Sequence, residues 1–278
     1  MCGFAGIVTT DKSPKAAAVE VAGAVLRHRG PDSSGLMLRE RCALAHRRLS
    51  ILDLSAAGGQ PMRADELPVW ITYNGEIYNY RSLRNDLKAH GWQFASDCDT
   101  EVVLKAYIEW GPDALMRMRG MFALAIWDER DNTLLLARDP FGIKPLYYAH
   151  SGDGSLAFGS EIKAVRAFGV VPDELNHTAF AQYLRYHYVP EPHSIYRHIK
   201  RLPAGHFLLC KDGALTLTRI PGRPGWTQGE ERRSPSEEEV TQVLADSVSA
   251  HMVSDVPVGV FLSGGVDSSL VAAMMRRA

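Results

Sequence analysis

Met1-Cys2-Gly3-Phe4-Ala5-Gly6-Ile7-Val8 opens the chain, and the reading of this stretch decides the fold. Removal of Met1 would leave Cys2 as the N-terminus, a residue that carries a nucleophile and a base together. The thiolate attacks, and the freed α-amine, with a reference pKa of about 7.7–8.0, can shuttle the proton. Gly3 and Gly6 leave room for a substrate against the backbone, while Phe4, Ile7 and Val8 predict a buried strand. Taken alone, an ordinary chain start with a buried cysteine is the simpler reading. The rest of the chain reverses that.

A chain of 278 residues has room for one large domain or two smaller ones. Its 46% hydrophobic and 23% charged content is that of a soluble globular protein. The 31 basic and 32 acidic residues leave a net charge of −1, so no global basic field favours nucleic acid. No apolar run approaches the roughly 20 residues of a membrane span. No charged N-terminal region precedes a long apolar core, which argues against a secretory signal. Cys2, Cys42, Cys98 and Cys210 have no metal-ligand spacing, nor do the histidines, so a metal site is not expected in the first domain. A cytoplasmic, reduced setting without disulfides is the expectation.

Working outward, Ser13-Pro14 predicts a helix start, with Ala18, Val21 and Val25 on its apolar face. Residues 29–35 form a turn-rich loop. Short strands are predicted at 36–39, 43–46 and 49–52. Arg47-Arg48 lies between the last two, as a solvated pair or as a fork for a substrate carboxylate. The strand at 69–73 ends in Asn74-Gly75-Glu76. A hairpin turn is awkward there because a helix follows at 79–90. The alternative aims the Asn74 amide and the Gly75 N–H at a developing oxyanion. Asp99 or Thr100 caps the helix at 101–110, or Asp99 binds a substrate ammonium.

Paired strands are predicted at 120–128 with 133–138, and at 145–150 with 155–159. A helix at 178–186 and a hairpin about Asp212-Gly213 follow. Strands packed with helices indicate layered sheets with helices outside. Composition changes at residues 221–235, which mark a linker. Ser236-Glu237-Glu238-Glu239 is a capping box that opens a helix. An apolar strand is predicted at 258–262, suited to a parallel sheet. It runs into Ser263-Gly264-Gly265-Val266-Asp267-Ser268-Ser269, where a glycine-rich loop before a helix makes a nest for phosphate, and Asp267 could help to hold magnesium.

Cys2-Gly3, Arg48-Leu49-Ser50-Ile51, Asn74-Gly75-Glu76-Ile77-Tyr78-Asn79 and Asp99-Thr100-Glu101 together resemble the class II glutamine amidotransferase domain. Residues 138–147 and 159–163 are similar to the same domain of asparagine synthetases, and residues 263–269 to the pyrophosphate loop of that family. Each motif alone is weak, but the ordered set is specific. The resemblance implies an α+β fold: a four-layer αββα N-terminal-nucleophile sandwich at residues 2–220. A linker at 221–235 and the beginning of a doubly wound α/β ATP-pyrophosphatase domain at 236–278 would follow.

The resemblance further implies that Cys2 attacks the side-chain amide of glutamine, with Asn74 and Gly75 holding the oxyanion. Arg48 would pair with the α-carboxylate and Asp99 with the α-ammonium. Leu49, Ser50, Ile51, Leu52 and Glu76 would complete the pocket. Glutamine hydrolysis would need no cofactor. In the resembled synthetases, ATP with Mg2+ activates aspartate, and ammonia converts it to asparagine. Leu262, Ser263, Gly264, Gly265, Asp267 and Ser268 match the start of that ATP site. The synthetase half is expected to stop short at Ala278, with its ATP site incomplete. Small-molecule substrates are the expected partners, without nucleic acid or membrane, and a homodimer stays open.

Overall fold

Gly3–Val8 forms β1, buried along its whole length. The computed structural model describes residues 1–11, 13–221 and 234–277. They belong to two compact units, Met1–Arg223 and Pro224–Ala278. The expected linker at 221–235 lies, apart from its ends, outside the described residues.

In the first unit, α1 (Ala16–Ala24) follows β1, and β2 (Ser33–Leu38) and β3 (Cys42–Arg48) form a hairpin. Next come β4 (Met62–Arg63), β5 (Val69–Ile77), α2 (Tyr80–Ala89), α3 (Asp99–Trp110) and α4 (Ala114–Arg117). β6 (Gly120–Asp128), β7 (Thr133–Arg138), β8 (Tyr147–His150), β9 (Leu156–Gly159), α5 (Ile162–Arg166) and α6 (His177–Tyr186) continue the chain. β10 (Lys200–Arg201), β11 (His206–Lys211) and β12 (Ala214–Arg219) close it. The last two strands turn at Asp212 (φ 47°) and Gly213 (φ 79°), both left-handed as a two-residue hairpin demands.

Twelve strands pair into two six-stranded antiparallel sheets, ordered β10-β8-β9-β1-β3-β2 and β12-β11-β7-β6-β5-β4. Side-chain alternation explains the layering. Phe4 and Val8 of β1 face the second sheet, in a core with Leu44, Phe158, Trp127, Leu136 and Leu208. Ala5 and Ile7 face the other way, onto α1 and α5. On the far side, α3 packs against β5, where Tyr73 bonds Asp99. Helix, sheet, sheet and helix thus make an α+β sandwich. Each large side chain buried in it stabilises the fold by roughly 1.5–3 kcal/mol.

Four local expectations change. Gly6 is not a space for substrate: a Cβ there would come 2.4 Å from Phe158 Cζ and 2.7 Å from Leu44 Cδ2. The glycine lets the core close over β1. Gly3 likewise makes way for the Arg29 side chain, 2.9 Å from an added Cβ. Residues 49–52 are not a strand, since β3 already extends to Arg48, where pairing with β2 ends, one residue past the last pair with β1. Asn74-Gly75 is neither turn nor strand end but lies inside β5, paired with β6 through Ile77↔Gly120.

In the second unit, α7 (Glu237–His251) opens with the expected capping box, Ser236 and Glu239 bonding each other's backbone. α8 (Val266–Met275) follows the glycine-rich loop. Residues 258–262 are not in a strand. Among the described residues of this unit no second strand lies alongside, so the segment has no ladder partner for its N–H and C=O groups.

Candidate active site

β1 starts at one end of the sandwich, and Cys2 sits just before it. The Leu49 N–H reaches Cys2 Sγ at 3.4 Å, and Sγ reaches the Leu49 carbonyl at 3.6 Å. The Arg29 Nε–H donates to the Cys2 carbonyl at 2.9 Å, and Arg29 in turn pairs with Glu161 at 3.1 Å. The cysteine is therefore held at its thiol by Leu49 and at its carbonyl by Arg29. Burial pushes the Cys2 thiol up, while the Leu49 bond, the N-terminal amine and Arg48 pull it down. Burial also lowers the α-amine of Met1, with Lys144 and Arg29 adding to the effect.

Cys2 opens onto a cavity of about 180 Å³. That is below the roughly 300–1,000 Å³ of sites for drug-sized ligands and suits a small metabolite. Arg48, Asn74, Gly75 and Asp99 line it with Cys2. Leu49, Ile51, Leu52 and Glu76 complete the wall. Ser50 alone among the residues expected in the glutamine pocket lies outside it. Its N–H donates to Asp32 at 2.8 Å, and it lines a neighbouring depression instead.

Asn74 is 2% exposed, and its Nδ2 is buried without a hydrogen-bond partner. A buried amide donor left unsatisfied costs about 1–3 kcal/mol, which a ligand acceptor would recover. Gly75 is required beside it by the close approach of β6: a Cβ would lie 2.3 Å from the Met121 carbonyl oxygen.

Asp99 begins α3 and is 4% exposed. Its Oδ2 accepts from the Tyr73 hydroxyl at 2.7 Å and from the Ile77 N–H at 2.9 Å. Burial pushes its carboxyl up, and these bonds, with the N–H groups of Asp99 and Thr100, hold it back. Neither Asp99 nor Thr100 is the cap of α3, which is Cys98 without a side-chain bond; Asp99 is the first helical residue and a wall of the cavity.

Arg48 is buried at 7% exposure, which excludes the solvated reading. Its guanidinium donates to the carbonyls of Ser55 at 2.9 Å, Leu52 at 3.2 Å, and Asp53. These bonds tie the 52–55 loop over the cavity and place the positive charge on its wall.

Several residues of the site escaped the sequence reading. Gln60 accepts from the Tyr73 N–H at 2.7 Å and donates to Thr100 at 3.2 Å, tying β5 to α3. Tyr73 orients Asp99, and Lys144 enters the same cavity wall. Only Lys144 carried a local signal, as a lone cation inside the apolar turn Pro140-Phe141-Gly142-Ile143-Lys144.

In the second unit, the Ser263 and Ser268 hydroxyls lie 3.0 Å apart, and Gly264 takes φ 80°. Gly265 caps α8 without a side-chain bond, so no side chain satisfies the first N–H groups of the helix. Leu262, Asp267 and the loop are exposed, apart from the half-buried Ser268. The donor set fits a phosphate group.

A sandwich of this layering with an amide donor and a cysteine in one small cavity defines an amidotransferase-like site. The chain belongs to the glutamine amidotransferase family: residues 1–220 match the glutamine amidotransferase domain. Residues 239–278 match asparagine synthase. Asparagine synthetase [glutamine-hydrolyzing] 1 of Bacillus subtilis is 40% identical over 284 residues, covering 99% of this chain and 44% of that protein. Asparagine synthetase B [glutamine-hydrolyzing] of Escherichia coli is 36% identical over 255 residues, covering 91% of this chain and 40% of that protein. The chain thus spans less than half the length of these relatives. Among solved structures, the glutamine phosphoribosylpyrophosphate amidotransferase of B. subtilis, complexed with ADP and GMP, aligns with a TM-score of 0.60 at 17% identity. That match covers 99% of this chain and 64% of the other, and it establishes the fold.

Proposed function

We propose that this chain hydrolyses glutamine to glutamate and ammonia, as the glutaminase part of an amidotransferase of the asparagine synthetase type. The single observation that carries the reading is the buried, unpartnered Nδ2 of Asn74 in the cavity that Cys2 lines. A donor kept there without a protein partner suits an oxygen whose charge grows during reaction.

Removal of Met1 frees the Cys2 α-amine, which accepts the thiol proton. The thiolate adds to the side-chain carbonyl carbon of glutamine, and the C=O electron pair moves onto oxygen. Asn74 and Gly75 hold that oxyanion. When it collapses, the C–N bond breaks, and the protonated amine returns its proton so that ammonia leaves. Water then attacks the thioester, with the same amine taking its proton, and glutamate departs as the thiol re-forms. Arg48 places positive charge for the substrate α-carboxylate, and Asp99 meets the α-ammonium. Leu49, Ile51 and Leu52, with Glu76, shape the rest.

The second unit, with its asparagine synthase match, supports transfer of the ammonia to aspartate in the whole protein. Leu262, Ser263, Gly264, Gly265, Asp267 and Ser268 would hold the phosphates of ATP and its Mg2+. Bound there, ATP supplies the activation that a carboxylate needs before ammonia can displace oxygen. The four free thiols fit a reducing, cytoplasmic setting.

The test is glutamate release from glutamine by protein whose Met1 removal has been verified by mass spectrometry, with Cys2→Ala beside it. Turnover by the parent and none by the variant is the expected result. Absence of turnover in folded, processed protein would reject the reading.

A further inference from the structure

The loop between β7 and β8 is pinned from beneath by two buried residues. Asp139, fully buried, accepts from the N–H groups of Phe141, Ile143 and Lys144, each at 3.0 Å. Arg138, 3% exposed, donates to the Lys144 carbonyl at 2.8 Å and the Gly142 carbonyl at 2.6 Å. Lys144 is thereby fixed at its backbone, and its side chain, 6% exposed, joins Cys2 in the cavity wall. Among the described residues its ammonium makes no hydrogen bond or ion pair. Burial lowers its pKa most, Glu76 pulls it back up, Arg29 lowers it, and Cys2 and Asp139 raise it.

The other cations near the nucleophile are already committed. Arg48, from β3, is engaged by three loop carbonyls. Arg29 is paired with Glu161 and the Cys2 carbonyl. The remaining charged or titratable groups around Cys2 are the N-terminal amine, Asp32, Tyr73 and Glu76 of β5, and Asp99 of α3. Lys144 shares the cavity wall with Cys2 as a cation without a hydrogen bond or ion pair among the described residues.

We propose that Lys144 is a positioning residue for the nucleophile: its ammonium favours the Cys2 thiolate over the thiol. The inference rests on Cys2 being the nucleophile. A cation acts more strongly on a thiol that is itself largely withdrawn from solvent, because the local dielectric is lower there.

The experiment reads the thiol directly, as the rate of Cys2 alkylation by iodoacetamide against pH, on the whole chain with Met1 removed. Cys42, Cys98 and Cys210 are at most 2% exposed, so the fast phase reports Cys2. Lys144→Met is expected to move the midpoint of the profile upward by about one pH unit, the scale of a nearby opposite charge. Lys144→Arg is expected to stay close to the parent. Lys144→Gln gives a second neutral variant should Lys144→Met fold poorly. Neutral variants with an unshifted profile would overturn the proposal, and so would Lys144→Arg moving as far as they do, which would mark a packing role. If Cys2→Ala released glutamate at the parent rate, the glutaminase reading would fall instead, and the alkylation profile would remain a separate measurement.

Discussion

The Tyr73 hydroxyl donates a 2.7 Å hydrogen bond to Oδ2 of Asp99, joining the middle of β5 to the first residue of α3. Both residues are buried, and Asp99 lines the cavity that Cys2 opens onto. The bond favours the ionised carboxylate, which is the form able to meet an ammonium, against a burial that opposes it.

Tyr73→Phe removes that donor, so the Asp99 carboxyl should rise further. KM for glutamine is then expected to increase several-fold with kcat little changed. The rise in KM on acidification should begin at higher pH than in the parent. A KM–pH series on both proteins checks it, and superimposable series would contradict it. The stability sign is opposite. A carboxyl raised above its unfolded value of 3.8 contributes stability at low pH, lost as pH rises through the folded value.

Asn74→Ala withdraws the unpartnered amide from the cavity. Loss of an oxyanion donor costs about 10²–10³ in kcat in comparable enzymes, and a fall of that order is expected with KM nearly unchanged. A loss confined to KM would place Asn74 in ground-state binding instead.

His46 is buried between the sheets, with Nδ1 on the Thr72 hydroxyl at 2.9 Å, and burial lowers its pKa to about 3. The unfolded chain therefore binds a proton below pH 6.5 that the folded chain refuses until about pH 3. Stability from this residue is present above pH 6.5 and falls as pH drops, by up to about 1.4 kcal/mol per pH unit. His46→Gln should flatten that part of the profile. Urea unfolding at pH 7 and pH 5 measures the difference, and equal losses in both proteins would refute it.

Gly6→Ala drives a methyl group into Phe158 and Leu44, which lie at 2.4 and 2.7 Å from the added Cβ. Overpacking of this kind costs about 1–3 kcal/mol. For a unit of this size that is a fall in Tm of roughly 2–12 °C, read by circular dichroism. An unchanged Tm would mean that Phe158 can turn aside.

Local chemistry made much of the site legible. Cys2 stood out because the second position alone can pair a thiol with its own freed amine. Asn74-Gly75 stood out because a hairpin there clashed with the helix that follows. The loop at 263–269 was legible from glycine and serine before a helix. By contrast, the strand expected at 258–262 needed neighbours to form, and its apolar residues alone did not supply them.

By itself, then, the sequence determined which side chains have the chemistry of an amidotransferase and the order in which they occur. Only the tertiary structure decided that residues 2, 48, 74, 99 and 144 meet around one cavity. They come from strands, a helix start and a loop that are brought together by sheet register and by packing between layers. It also decided that Gly6 serves the core, that Arg48 binds the 52–55 loop, and that Asn74 is left without a partner. Local composition sets propensity over a few residues. Contacts across tens or hundreds of residues depend on which strands pair and which faces are buried, and these are properties of the whole chain.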